Sequence, residues 1–189
     1  VVRPADANET IQAWADAVDY DGPTVLVLSR QNITVTTDGS AVATGAGIVR
    51  SADDPQVVLV GTGSEVSLCV DAAAKLAEQG VRSPVVSMPS WDRFDEQDAG
   101  HKAAGFPAGV PVVSVEAGVT FGWSKYADAS IGIDRFGASA PGGLVLDKLG
   151  INVEHVVLNA TDLCNSTTST HHTSLPSYIV TCITLYSIY

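Results

Sequence analysis

Arg30 stands directly after the apolar run Thr24-Val25-Leu26-Val27-Leu28-Ser29 and just before Gln31 and Asn32. A guanidinium at the C-terminal end of a buried strand can grip a phosphate through two parallel N–H donors. The same side chain can equally form a surface salt bridge, and the spacing alone leaves both open. A second place is Gly61-Thr62-Gly63-Ser64-Glu65-Val66, where a strand gives way to a helix whose first amides can receive a phosphate. It fits neither the GxGxxG fingerprint nor the P-loop, which needs Gly-Lys before the hydroxyl residue. Thr62 and Glu65, three apart, fit a capping box, and that is the preferred reading. Glu116 closes another apolar run, at the edge where open α/β sheets take ligands. A surface or interface carboxylate is the preferred reading there.

The remaining reactive residues form no constellation. Asp92, Asp95, Glu96 and Asp98 match no calcium-loop spacing and read as a solvated helix start, where acids suit the helix dipole. His101 is isolated, and His171 and His172 have no cysteine or acid at ligand spacing. No GxSxG and no Cys/His nucleophile arrangement is present. Cys69, Cys164 and Cys182 are an odd, scattered set without CxxC spacing, which argues against a disulfide framework or a zinc site. A reducing, cytoplasmic setting is expected.

The elements that would position these residues alternate. Residues 8–18 carry Ile11, Trp14, Ala15 and Val18 at helical spacing, with Asp6 or Asn8 able to cap the start. Asp21-Gly22-Pro23 ends that helix, and residues 24–29 read as a buried parallel strand. Residues 32–55 are Gly- and Thr-rich and read as a linker, with a short strand at 47–50. The spacing then predicts strands at 57–60, 84–88, 110–116 and 130–133. Between and after them it predicts helices at 66–79, closed by Gly80, within 92–102, at 122–127, from Pro141 to Gly150, and from 153 onward. Such alternation gives an α/β fold, a three-layer sandwich around a mostly parallel, mixed sheet.

Composition narrows the functions. The 189 residues are 46% hydrophobic and 16% charged, enough to bury a core. A net charge of −11 repels phosphates, so neither nucleic acid nor an anionic membrane surface is an expected partner. No apolar run reaches the ~20 residues of a membrane-spanning helix. The chain opens Val1-Val2-Arg3-Pro4, without Met, signal peptide or basic leader, and upstream sequence is expected. From Leu163 to Tyr189 there is no Asp, Glu, Lys or Arg, so residues 163–189 read as an atypical uncharged tail with a β-prone end at 178–186.

The order of motifs resembles transketolases. Arg3-Pro4-Ala5-Asp6-Ala7-Asn8-Glu9 and Gly22-Pro23-Thr24 leading to Leu28-Ser29-Arg30-Gln31-Asn32 look like the end of that family's pyrimidine-binding domain. Gly61-Thr62-Gly63-Ser64-Glu65-Val66, Val85-Val86-Ser87-Met88-Pro89-Ser90, Val115-Glu116-Ala117-Gly118 and Phe136-Gly137-Ala138-Ser139-Ala140-Pro141 resemble its C-terminal domain, in the same order. The likeness covers residues 1–160. It implies a division into the end of the pyrimidine-binding domain at 1–32, a linker at 33–55, the transketolase C-terminal domain at 56–162, and the tail. It further implies transfer of a two-carbon ketol unit between sugar phosphates, with thiamine diphosphate and Mg2+ or Ca2+ as cofactors of the complete enzyme. Arg30 matches the arginine that holds the substrate phosphate, and the C-terminal domain supplies contacts of a homodimer.

The family's Gly-Asp-Gly…Asn metal pattern, activating glutamate and substrate histidines have no match in this sequence. No catalytic or cofactor-binding residue is therefore assigned, and the chain alone is expected neither to bind thiamine diphosphate nor to be active. The alternative is a stand-alone α/β ligand-binding, regulatory or dimerisation domain, with its pocket near 61–65 and Glu116.

Overall fold

The computed structural model describes residues 1–169, with side chains described up to Ser166. The proposed β-prone end of the tail, His171, His172 and Cys182 lie outside the described residues.

Helix α1 (Ala7–Asp19) starts where Asp6 can serve the free amides of its first turn. Asp6 Oδ1 accepts from the N–H groups of Asn8 at 3.0 Å and Glu9 at 3.2 Å. Its other oxygen accepts from the amides of Thr36 and Thr37, each at 2.7 Å, so one carboxylate both caps the helix and pins the segment that follows. Burial would push this carboxyl up, but the donors from Thr36, Thr37 and Glu9 outweigh it and hold Asp6 below the usual range.

The 33–55 stretch contains a short helix, α2 (Ala41–Thr44), and strand β1 (Gly47–Arg50), the strand anticipated there. Beyond it come β2 (Val58–Gly61), α3 (Glu65–Glu78), β3 (Val85–Ser87), α4 (Trp91–Asp95) and α5 (Ala99–Gly105). β4 (Val112–Val115), a 3-10 turn (Trp123–Lys125), β5 (Ala129–Ile131), α6 (Gly142–Lys148) and α7 (Val153–Ser169) complete the order. Helix α7 runs unbroken across the 162/163 boundary.

The sheet has five strands in the order β1-β3-β2-β4-β5. β3, β2, β4 and β5 pair in parallel, and β1 joins β3 antiparallel at one edge. The apolar runs make sense in this setting, because strands covered on both faces need no polar alternation. Leu59, Val85, Val113 and Val115 face α3 and α7, packing on Cys69, Ala72, Leu76, Val156 and Ala160. Val58, Val60, Val86 and Val112 face the other way, onto Phe94, Met88 and Trp123. Period-two alternation thus splits the strands between two cores and gives the three layers. The buried Ser114 hydroxyl is satisfied across the β4–β5 pair by Ser130 Oγ at 2.8 Å.

One expected element differs. Residues 24–29 form no strand of a sheet. They make a single parallel bridge, Leu26 with Val2, and Val25, Val27 and Leu28 are exposed. An apolar run becomes a strand only when neighbours complete its ladder, and among the described residues only Val2 lies alongside it.

Candidate functional site

β2 and β4 are neighbours in the sheet, and their C-terminal ends carry the two motifs singled out above. β2 ends at Gly61, the turn follows, and α3 begins at Glu65; Glu116 comes directly after β4. Parallel neighbours whose crossovers leave from the same end bring these loops together. In open α/β sheets that end is where ligands bind.

Here the place is taken by a side chain of the protein itself. Arg3 Nη2 donates to Glu65 Oε2 at 2.8 Å, and Arg3 Nη1 donates to Glu116 Oε1. Each carboxylate is fixed by further donors. Glu65 accepts from the amide of Ala117 at 3.1 Å and from Ser64 Oγ at 2.6 Å. Glu116 Oε2 accepts from the indole Nε1 of the buried Trp123 at 2.7 Å. The Arg3 backbone is held as well: its N–H donates to Pro89 O at 2.8 Å, and its carbonyl accepts from Gly63 N at 3.2 Å. Gly63 is glycine for a reason that lies in the site. Its φ is +61°, and a Cβ there would sit 2.6 Å from Arg3 Nε.

Two readings of the sequence change accordingly. The capping box does not form: the N-cap of α3 is Ser64, without a side-chain cap bond, and Glu65 is drawn instead to Arg3 and Ala117. For Glu116, read as a surface or interface carboxylate, the surface alternative falls away, since its side chain is only 22% exposed and both of its oxygens are used. Arg3 itself was invisible as a site residue. Its partners are 62 and 113 residues away, and no local spacing signals such a contact.

Beside this cluster lies a crevice of about 640 Å³, lined by Arg3 and Glu116 together with Val27, Met88, Trp91 and Phe121. One guanidinium between two carboxylates leaves a net negative charge, which repels phosphate rather than receiving it. The glycine-rich turn does not compensate, because its Gly63 amide already donates to Arg3 O. Nor do the residues fit a divalent cation, as no group of three or more His, Cys, Asp or Glu side chains converges among the described residues. The described residues of this site therefore do not fit thiamine diphosphate and its metal ion.

Arg30 stands apart from the cluster. It is exposed, and no hydrogen bond or ion pair engages it among the described residues. Gln31 and Asn32, which follow it, line a shallow pocket with Ser64 and Ser67 at the start of α3. The acidic residues also disperse. Asp98 caps α5 through the amide of His101, while Asp95 pairs with Lys125 and accepts from Tyr126 Oη at 2.9 Å. His101 is half-buried, its Nε2 3.2 Å from Ala46 O. Burial, reinforced by the Glu65 carboxylate, pushes the Cys69 thiol up, so it stays protonated and inert.

Residues 45–152 match the family described as the transketolase-like TK C-terminal domain. The chain belongs to the transketolase family. It is 45% identical over 173 residues to the transketolase of Nostoc sp. (strain PCC 7120), covering 86% of this chain and 26% of that protein. The transketolase structure of Leishmania mexicana superposes with a TM-score of 0.84 at 48% identity, over 88% of this chain and 25% of that one. A Pichia stipitis transketolase in complex with sedoheptulose-7-phosphate superposes with a TM-score of 0.85 at 36% identity, over 89% of this chain and 25% of the other. The chain therefore spans about a quarter of the length of the transketolases it matches. Within that family the α/β fold with its mixed five-stranded sheet is the expected one, and no described helix is long and apolar enough to cross a membrane.

Proposed function

We propose that this chain is the C-terminal quarter of a transketolase, an enzyme that moves a two-carbon ketol unit between sugar phosphates with thiamine diphosphate and a divalent metal ion. The observation that carries the reading is the 45% identity sustained over 173 residues, covering 86% of the chain. In this reading residues 1–32 close the pyrimidine-binding domain, and residues 56–162 are the C-terminal domain, whose exposed apolar side chains contact the second copy of a cytoplasmic homodimer. Phe121 and Phe136, 90% and 100% exposed, are the side chains best suited to that contact.

Arg30 is the one residue of this chain assigned to substrate. Its guanidinium is uncommitted among the described residues and follows the segment 24–29 directly, so it can fork onto the terminal phosphate of a sugar. That contact positions the substrate and supplies binding energy; the carbon–carbon chemistry belongs to the cofactor, held elsewhere in the complete enzyme. The reading as a stand-alone ligand-binding domain is not favoured, because the crevice at the strand ends is engaged by Arg3 and carries the wrong charge for a phosphate.

The test is a chimera in which this chain replaces the last quarter of a complete transketolase. The chimera is expected to transfer ketol units, and the 189-residue chain alone is expected not to. A folded, dimeric chimera without activity would overturn the proposal, as would activity from the chain by itself.

A further inference from the structure

We infer that Arg3 is a positioning residue for Arg30, so that the α/β domain sets the placement of the phosphate-binding side chain through a fixed guanidinium. The inference rests on the role proposed above for Arg30. Its structural part stands on two further observations.

Arg3 is held on all sides. Its two terminal nitrogens bridge Glu65 and Glu116, its N–H donates to Pro89 O at 2.8 Å, and its carbonyl accepts from Gly63 N. The carboxylates cannot swing with it, since Ala117 N, Ser64 Oγ and Trp123 Nε1 hold them from behind. Three connections at the sheet's C-terminal edge thus converge on one residue near the beginning of the chain, two through its side chain and one through its backbone N–H.

The residue beside it then fixes the segment that leads to Arg30. Val2 N donates to Val25 O at 2.9 Å, and Val27 N donates to Val2 O at 2.9 Å. Among the described residues no other backbone hydrogen bond holds residues 24–30, whose apolar side chains are largely exposed. The mechanical path therefore runs from Glu65 and Glu116 to Arg3, through Val2 to Val25 and Val27, and three residues on to Arg30. Arginine is needed because only its planar fork reaches two separate carboxylates with fixed direction; a lysine would supply one rotating point charge. Misplacing a substrate-gripping group by about 1 Å can cost up to a hundredfold in rate, so slack in this path should be visible in catalysis.

Hydrogen exchange read by mass spectrometry on the full chain tests the mechanical part. Arg3→Lys and Glu116→Gln are compared with Lys75→Ala, which breaks only the exposed Lys75–Glu154 pair. The expected result is about tenfold faster exchange of the Val27 amide, which donates to Val2 O, in the first two variants, no change in β2 and β4, and no change anywhere in the control. Unchanged exchange at Val27, or equal acceleration throughout the sheet, overturns the inference. In the chimera, the same two substitutions are expected to raise the KM for a phosphorylated acceptor about tenfold relative to an unphosphorylated one, and Arg30→Ala to raise that ratio further. If Arg30→Ala moves the ratio and Arg3→Lys does not, the inference falls alone. If Arg30→Ala leaves the ratio unmoved, the role proposed for Arg30 falls, and the exchange rates still decide whether Arg3 fixes the segment.

Discussion

Arg93 Nη1 donates to Asp16 Oδ2 across 77 residues of sequence, and the same nitrogen donates to Val42 O at 3.0 Å. Arg93 belongs to α4 on the sheet, Asp16 to α1, and Val42 to α2, so a single guanidinium ties three helices together. The arrangement mirrors the Arg3 cluster with the direction reversed. There the early segment sends an arginine into the sheet's edge, and here the domain sends one back.

Breaking that tie should loosen α1 without dissolving the sheet. The pair is neither fully exposed nor fully buried, at 26% and 21% side-chain exposure, which places its worth between that of surface and buried ion pairs. Asp16→Asn is expected to lower unfolding free energy by about 1–2 kcal/mol, read from urea denaturation. A loss below the error of the measurement would show that the packing of Ala13 and Val42 and the bonds of Asp6 to Thr36 and Thr37 hold α1 in place without the ion pair.

Two neighbouring carboxyls at the start of α1, the capping Asp6 and Glu9, should respond to pH in opposite directions. Donors hold Asp6 below its ordinary range, so it contributes stability at neutral pH that is lost as pH falls through its folded value, below 3.8. Glu9 is fully buried, and burial pushes its carboxyl above 4.5. It carries no charge penalty while protonated, and that penalty grows as pH rises from 4.5 through the higher folded value. The Ser87 hydroxyl lies close enough to offset part of the upward push of burial, although neither Glu9 Oε1 nor Ser87 Oγ makes a hydrogen bond of regular geometry. Glu9→Gln keeps an acceptor for the Ala5 amide and removes the charge. It is expected to stabilise by roughly 1 kcal/mol at pH 8 and by almost nothing at pH 4, measured by chemical denaturation at both. A variant less stable than the parent at pH 8 would contradict this account.

Gly63→Ala combines two penalties at one place. The backbone sits at φ +61°, and the added methyl would press on Arg3 Nε. A cost of about 1–3 kcal/mol is expected. If Arg3 is what the methyl disturbs, the loss in Gly63→Ala/Arg3→Met should fall short of the sum of the single losses. Strict additivity would assign the cost to the backbone alone.

Cys69 should be chemically silent in the folded protein. It is fully buried, and both burial and the Glu65 carboxylate oppose its ionisation. Alkylation at pH 8, located by peptide mapping, is expected to proceed at Cys69 only as fast as the domain unfolds. Modification faster than global unfolding would reveal a local opening between α3 and the sheet.

Much of this architecture is legible in the sequence. The runs at β2, β3 and β4 are apolar at consecutive positions because both faces are covered, and Gly80 and Gly150 mark helix ends where φ is +79° and +82°. Legibility fails where a residue's fate depends on a distant partner. Residues 24–29 look like β2 in composition, yet ladder partners and not apolarity decide whether a strand forms. Thr62 and Glu65 have capping-box spacing, yet Arg3 offers Glu65 a charged donor that a backbone amide cannot match. Arg30 is singled out only by its motif, whereas Arg3, lying within an equally recognisable motif, finds its partners only once the chain has folded back 113 residues.

The antiparallel β1 bears on how the protein behaves among its own copies. A row of parallel strands left open at one side is a template on which another chain can crystallise its own backbone. β1 closes that flank of β3, and its register slips between Ile48 and Arg50, so the outer rim presents a kinked, irregular line of amides. Such a rim is a poor mould for a sixth strand from a neighbour, and the edge that would otherwise seed fibres is blunted by four residues running backwards.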